Sequence, residues 1–340
     1  MIREALYKIT ENCPCNCTFC DSREKYNNFL KRVQISLQEW INISDNLIKN
    51  GLEVAIISGG EALLEKEITF KLIKYLQSKN VFVVLNVSGV LFNSNIILDE
   101  LIVNYPNLLV FSIDSAFSKQ HNENRNIPGL YEKVINSIKY IKAQKDLPIA
   151  IRTVITKQNF RQLPKIMKDF NQIGVDCIKL TNIENDLTGE FTLSVDELNE
   201  FDGKIRNELI ETIKCCDFGN KDLKQDAIKK IKGLLSKDIV PYNELAKGNF
   251  APNLVGNMHC NLVERFITIQ SNGDLIPCCE AEHHYEPLLG NLVNNTLEEI
   301  LNTDKYKDFV KNRPDYCKRC TEWQNLQINF NDSGNKVNKR

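Results

Sequence analysis

The sequence predicts an α/β protein, a partial TIM-like (β/α)6 barrel followed by a small C-terminal α+β cysteine-rich extension. Three observations carry this. Short β-rich runs alternate with longer helical patterns to about residue 215, charged helix-like sequence fills the stretch from Thr192 to Gly233, and a hairpin signal with a second group of cysteines begins at Cys260. Alternation of that kind is the mark of parallel strands joined by crossover helices.

Six strands are expected, over Ala5–Thr10, Glu53–Ile57, Val81–Asn86, Leu108–Ile113, Pro148–Thr156 and Asp176–Leu180. Between them apolar residues recur at helical spacing, as in Leu37, Trp40, Ile41, Leu47 and Ile48, or Phe70, Ile73 and Leu76. Ser36 with Glu39 reads as a capping box for the first of these helices. Ser194-Val195-Asp196-Glu197 reads as another helix start, with acidic residues near the positive end of the helix dipole. Arg265–Gln270 and Asp274–Cys278 flank Ser271-Asn272-Gly273, and an Asn-Gly step between extended runs signals a hairpin. A helix over Leu297–Val310 then leads to Cys317 and Cys320. The expected division is a barrel at 1–192, a helical linker at 193–257, a cysteine-rich unit at 258–328 and a polar, disordered tail at 329–340.

Charge and hydropathy exclude several classes. With 43 Lys+Arg against 44 Asp+Glu the formal net charge is -1, so no bulk attraction to nucleic acid or anionic lipid is implied. There is no run of about 18 apolar residues to span a membrane, and the amino terminus does not read as a signal peptide. A cytoplasmic protein is expected. Twelve cysteines are many for such a chain, and since cytosolic thiols stay reduced, metal or redox chemistry is the expected use.

Cys13, Cys17 and Cys20 have C-x3-C-x2-C spacing directly after the first strand. Three thiolates on one loop can hold three irons of a 4Fe-4S cluster and leave the fourth open to a ligand. Zinc is the alternative, with Cys15 as fourth ligand. Otherwise Cys15 is a solvent-side thiol. Later in the chain, Cys260, Cys278, Cys317 and Cys320 form a closed set of four, suited to a cluster or to structural zinc. Cys177 reads as a strand core residue, Cys215 and Cys216 as helix-flanking, and His283 and His284 as exposed loop residues.

The first loop, together with Ser58-Gly59-Gly60-Glu61 after the second strand and Phe111-Ser112-Ile113-Asp114 on the fourth, resembles the radical S-adenosylmethionine enzymes. The resemblance implies that the open iron of the first 4Fe-4S cluster binds the amino and carboxylate groups of S-adenosylmethionine. It also implies that Gly59 and Gly60 let the backbone approach the cofactor closely, that the Glu61 carbonyl or carboxylate meets the methionine ammonium, that Ser112 contacts the cofactor, and that Arg125 approaches its carboxylate. The later cysteines, with Leu289-Gly290-Asn291-Leu292, resemble the reduced SPASM, or Twitch, extension of the same family. That implies one auxiliary 4Fe-4S cluster, held by Cys260, Cys278, Cys317 and Cys320.

The function implied by the resemblance is a reductive cleavage yielding a 5′-deoxyadenosyl radical, which attacks a substrate C–H bond. Electrons would come from a flavodoxin- or ferredoxin-type donor, with the auxiliary cluster as acceptor for a substrate electron. The substrate is either a ribosomally made peptide or a small molecule such as an aminocyclitol. Because the first cluster motif begins at Cys13, no amino-terminal leader-binding domain is expected. Cys279 stands where related sulfatase-maturating enzymes place an aspartate that takes a proton, which makes it a candidate hydrogen-atom donor; the alternatives are a buried packing residue or a replacement cluster ligand. On a regular strand its side chain would turn away from that of Cys278.

Overall fold

The computed structural model describes residues 1–20, 34–217, 221–254 and 260–322. The expected polar tail at 329–340 lies outside them. Six strands alternate with helices: β1 (Glu4–Lys8), α1 (Leu37–Lys49), β2 (Val54–Ser58), α2 (Lys66–Ser78), β3 (Phe82–Val87), α3 (Asn95–Val103), β4 (Leu108–Ser112), α4 (Ser118–Arg125), α5 (Leu130–Gln144), β5 (Ile149–Ile155), α6 (Leu163–Gln172) and β6 (Cys177–Asn182). The helical stretch after Thr192 contains α7 (Val195–Glu200), α8 (Arg206–Cys215), α9 (Lys221–Gly233) and α10 (Tyr242–Leu245). The cysteine-rich part contains β7 (Phe266–Ile269), β8 (Asp274–Ile276), α11 (Cys279–His284), β9 (Gly290–Asn291), α12 (Leu297–Leu301) and α13 (Asp304–Lys311).

Local chemistry starts these helices where the sequence says. Ser36 caps α1 and Ser194 caps α7, each in a reciprocal box with the Glu three residues on. The helix expected over Leu297–Val310 is two helices. Thr303 has an extended backbone and accepts the Tyr306 amide, so it caps a fresh helix instead of continuing the first.

The nine strands of the described residues belong to one sheet, in the order β6-β5-β4-β3-β2-β1-β7-β8-β9. β1 through β6 pair in parallel. β7 then adds in parallel to the free side of β1, and β8 and β9 follow antiparallel. The late hairpin therefore continues the barrel sheet.

Period-two alternation decides which side chains face the concave side. On β1, Ala5, Tyr7 and Ile9 are buried, and Tyr7 packs on Trp40 of α1 with its hydroxyl 3.3 Å from Ser44 Oγ. These residues face the helices, so Leu6, Lys8 and Thr10 turn inward. On β5, Ile149, Ile151, Thr153 and Ile155 are buried under the helices, which leaves Ala150, Arg152 and Val154 on the inner face. They pair in register with Cys177, Lys179 and Thr181 of β6, which share that face. Cys177 is exposed there and is not the core residue expected from its strand. Among the described residues no helix is long and apolar enough to cross a membrane.

Candidate active site

The first cysteine loop is fastened from two sides. Gly60 N–H donates to Thr10 O (2.7 Å) and Glu61 N–H to Asn12 O (2.8 Å), which zips the turn after β2 onto the chain leaving β1. A Cβ at Gly59 would lie 2.4 Å from Thr10 O, a backbone atom that cannot swing aside, so only glycine fits this approach. On the other side Asn16 N–H donates to Arg125 O (3.1 Å) and Thr18 N–H to Asn124 O (2.9 Å), laying the loop against the end of α4.

Glu61 is buried. Its carboxylate accepts from Ser88 N–H (2.9 Å), from the Ser88 hydroxyl and, more loosely, from Leu63 N–H (3.5 Å). Burial raises its pKa and the Ser88 bonds oppose the rise. Arg125 donates from Nε to Asp114 Oδ2 (2.6 Å), a buried ion pair, and its guanidinium lies 5.6 Å from the Phe19 ring centre. Asp114 thus serves as the partner of Arg125. Ser112 is half-buried at the end of β4, in register with Arg152.

Cys15 is buried and not on the solvent side. Hydrogen bonding to Cys13 first, opposed by Cys17, moves its pKa up to about 11. The Cys15 hydrogen bond and burial also push the Cys17 thiol up, against the nearby Arg125 charge. Metal binding has to displace these protons. The donor chemistry suits a cluster, since the thiols of Cys13, Cys17 and Cys20, with Cys15 between them, stand within eight residues beside a buried guanidinium that offsets thiolate charge.

The second set is enclosed. Cys260, Cys278, Cys317 and Cys320 are all buried in one apolar cluster with Val263, Phe266, Ile276 and Phe309. Burial first, then neighbouring Cys317 and Cys260, raise the Cys278 pKa. Burial moves Cys317 up to about 12, against Arg313. Arg313 is itself buried and lies 4.8 Å from the Phe309 ring centre, and its Nε and Nη1 have no hydrogen-bond acceptor. Four buried thiols beside a guanidinium with unused donors fit a buried anionic cluster. Among the described residues no group of three or more His, Cys, Asp or Glu converges as ligands of one metal ion.

Cys279 departs from the sequence expectation. β8 stops at Ile276, and Cys278 is the N-cap of α11, its Sγ accepting Ala281 N–H at 3.4 Å. Alternation along a strand therefore does not orient Cys279. Helical spacing does, placing it on one face with Glu282 and His283 at i+3 and i+4. Glu282 bonds the inward-facing Lys8 of β1, which also meets Glu11 at 3.1 Å. His283 Nε2 lies 3.1 Å from Glu184 in the loop after β6. Two consecutive residues of α11 thus reach the first and the last of the six parallel strands at their carboxyl ends, and α11 straps the barrel mouth.

Glu184 also accepts from Thr321 Oγ1 at 3.1 Å. Burial disfavours its charge, but His283, Arg152 and Thr321 outweigh that and hold its carboxyl low, at about 2. Cys279 is partly buried at this strap, packed against the cluster of the four later cysteines, and burial, then Glu184, raise its pKa. His283 and His284 are not loop residues. They form the last turn of α11, and His284 stacks on Tyr316 at 4.2 Å between ring centres. The long-range partners of Lys8 and Glu184 leave no trace in the sequence. The acidic Glu280 and Glu282 after Cys279 are a usable signal for the α11 start.

A fold with a three-cysteine loop on its first strand and a closed four-cysteine unit at its end has a family. Residues 7–170 match the radical SAM superfamily, and residues 260–321 match the SPASM iron–sulfur cluster-binding domain. The chain belongs to the radical SAM family, with a C-terminal SPASM domain, and its cofactors are S-adenosylmethionine and 4Fe-4S clusters. This sets aside the zinc readings.

Relatives are distant. The chain is 23% identical over 284 residues to the PqqA peptide cyclase of Granulibacter bethesdensis, covering 82% of this chain and 67% of that protein. It is 26% identical over 168 residues to the AdoMet-dependent heme synthase of Methanosarcina barkeri, covering 49% of this chain but only 47% of that one. Among solved structures, Streptococcus suis SuiB bound to its precursor peptide SuiA has the same fold, with a TM-score of 0.68 at 17% identity over 96% of this chain and 73% of SuiB. So does anSMEcpe with bound AdoMet and the Cp18Cys peptide, with a TM-score of 0.65 at 19% identity over 95% of this chain and 87% of that one.

Proposed function

We propose that this protein is a peptide-modifying radical SAM enzyme, which abstracts a hydrogen atom from a C–H bond of a peptide held between the barrel mouth and α11. Cys13, Cys17 and Cys20 would hold the first cluster, and Cys260, Cys278, Cys317 and Cys320 a single auxiliary one. When bound, the cluster and S-adenosylmethionine supply a 5′-deoxyadenosyl radical on one-electron reduction, with a flavodoxin- or ferredoxin-type protein as donor. The peptide assignment draws support from the PqqA peptide cyclase relative, matched over 82% of this chain, and from the peptides bound in SuiB and anSMEcpe.

The chain's own groups then have distinct tasks. Gly59 and Gly60 bring backbone close to the cofactor, while Glu61, tied to Ser88, fixes the shape of that turn. Ser112 offers a hydroxyl on the inner face, and Arg125, anchored by Asp114, sets positive charge beside the cysteine loop. Cys279 is the hydrogen-atom donor, and the observation that carries this is its place on the strap, on the face that grips both barrel edges. After the bound cofactor had removed one hydrogen atom from the substrate carbon, Cys279 would return one from Sγ, and its sulfur would be restored by one electron from the same flavodoxin- or ferredoxin-type donor and one proton from solvent.

The test uses the reconstituted enzyme with the peptide encoded beside its gene, in deuterated buffer. The parent enzyme is expected to give a redox-neutral product carrying one deuterium at the attacked carbon. Cys279→Ser is expected to lose that deuterium and yield a product two hydrogens lighter. The same product with the same deuterium content from both enzymes would rule the donor role out.

A further inference from the structure

The inner face of the barrel carries two neighbouring cations that the chemistry above does not use. Arg152 on β5 and Lys179 on β6 are register partners, so their side chains leave the sheet side by side on the concave face. β6 is the last strand of the sheet on this side, and both side chains remain accessible, at 35% and 56%.

Their acidic neighbours hold them loosely. Arg152 stands 3.9 Å from Glu184 and Lys179 stands 3.9 Å from Glu322, both beyond hydrogen-bond length. The Arg152 Nε contact with Thr181 Oγ1 is also long, at 3.5 Å. Glu184 is committed elsewhere, at 3.1 Å to both His283 and Thr321. It therefore places the guanidinium without closing its two-pronged donor edge, which matches a carboxylate.

We infer that Arg152 and Lys179 form a carboxylate-binding subsite in the barrel, which anchors an acidic group of the substrate beneath Cys279. Glu184 links the two places, since it stands 3.9 Å from Arg152 and bonds His283, one helical turn after Cys279 on α11. The inference refines the peptide-modifying reading by naming the residue class recognised, an Asp or Glu side chain or a terminal carboxylate. Water still reaches the site, so the pair contributes selectivity more than bulk affinity.

The experiment measures binding to the reconstituted holoenzyme with S-adenosylmethionine and no reductant. Fluorescent, end-blocked pentapeptides carrying Glu, Gln or Lys at the centre of an alanine frame are the probes, with glutarate as a free carboxylate competitor. The Glu peptide is expected to bind about tenfold more tightly than the Gln peptide, the effect of one charge-assisted contact. Arg152→Gln with Lys179→Gln should erase that difference, and Arg152→Lys should keep part of it, with iron content and S-adenosylmethionine affinity unchanged. Equal binding of Glu and Gln peptides overturns the subsite while leaving the peptide reading in place. Direct binding of glutarate, followed by calorimetry and lost in the double variant, with no peptide binding supports the subsite and removes the peptide reading. A preference that survives the double variant, or weaker S-adenosylmethionine binding in it, overturns the proposal.

Discussion

Replacing Cys13, Cys17 and Cys20 together by alanine is expected to abolish 5′-deoxyadenosine formation and to lower bound iron from about eight to about four per chain, the counts for two 4Fe-4S clusters and for one. The loop should keep its place, because its fastenings are backbone bonds. Asn16 N–H to Arg125 O and Thr18 N–H to Asn124 O need none of the three thiols. The second set is enclosed in a separate apolar cluster, so its iron should stay. Iron analysis with Mössbauer spectroscopy, and chromatography of the quenched reaction, check both outcomes. A variant that still forms 5′-deoxyadenosine would place the primary site elsewhere. Loss of all iron would mean that the two sites do not form independently.

Lys8→Met is expected to have the largest effect on stability. Lys8 is buried, and although burial opposes its charge, Glu282 and Glu11 raise its pKa and keep the ammonium form. Removing it strands two carboxylates at the junction of β1 and α11. Breaking a buried pair from one side costs about 3–5 kcal/mol, which for a chain of 340 residues lowers the unfolding midpoint by roughly 4–7 °C. A companion Glu282→Gln change should recover a measurable part, because one stranded charge is then gone. Anaerobic thermal unfolding followed by circular dichroism gives both numbers. A shift of about 1 °C for Lys8→Met would mean that water reaches this cluster and that the strap carries little load.

The range of the forces involved decides how much of the fold and site is legible in the sequence. The six strands fall within a residue or two of the positions that alternation gives them, because that pattern records which face is buried. Ser36 and Ser194 mark helix starts correctly, since a capping box is complete within four residues. Both cysteine sets are visible as spacings. By contrast, β7 joining β1 depends on pairing across some 260 residues, and nothing in either strand announces the other. The same holds for Glu282 with Lys8 and His283 with Glu184. Sequence alternation misplaces Cys279 because the expected strand runs on to Cys278, past Pro277, against the turn bias that proline brings.

The most direct measurement is mass spectrometry of the peptide encoded beside the gene after anaerobic incubation in deuterated buffer with reconstituted enzyme, reductant and S-adenosylmethionine, with 5′-deoxyadenosine quantified in the same samples. The account predicts a modified peptide that requires Cys13, Cys17 and Cys20, with at least one 5′-deoxyadenosine formed for each peptide changed. Formation of 5′-deoxyadenosine with the peptide left intact, in mass and in deuterium content, would contradict it.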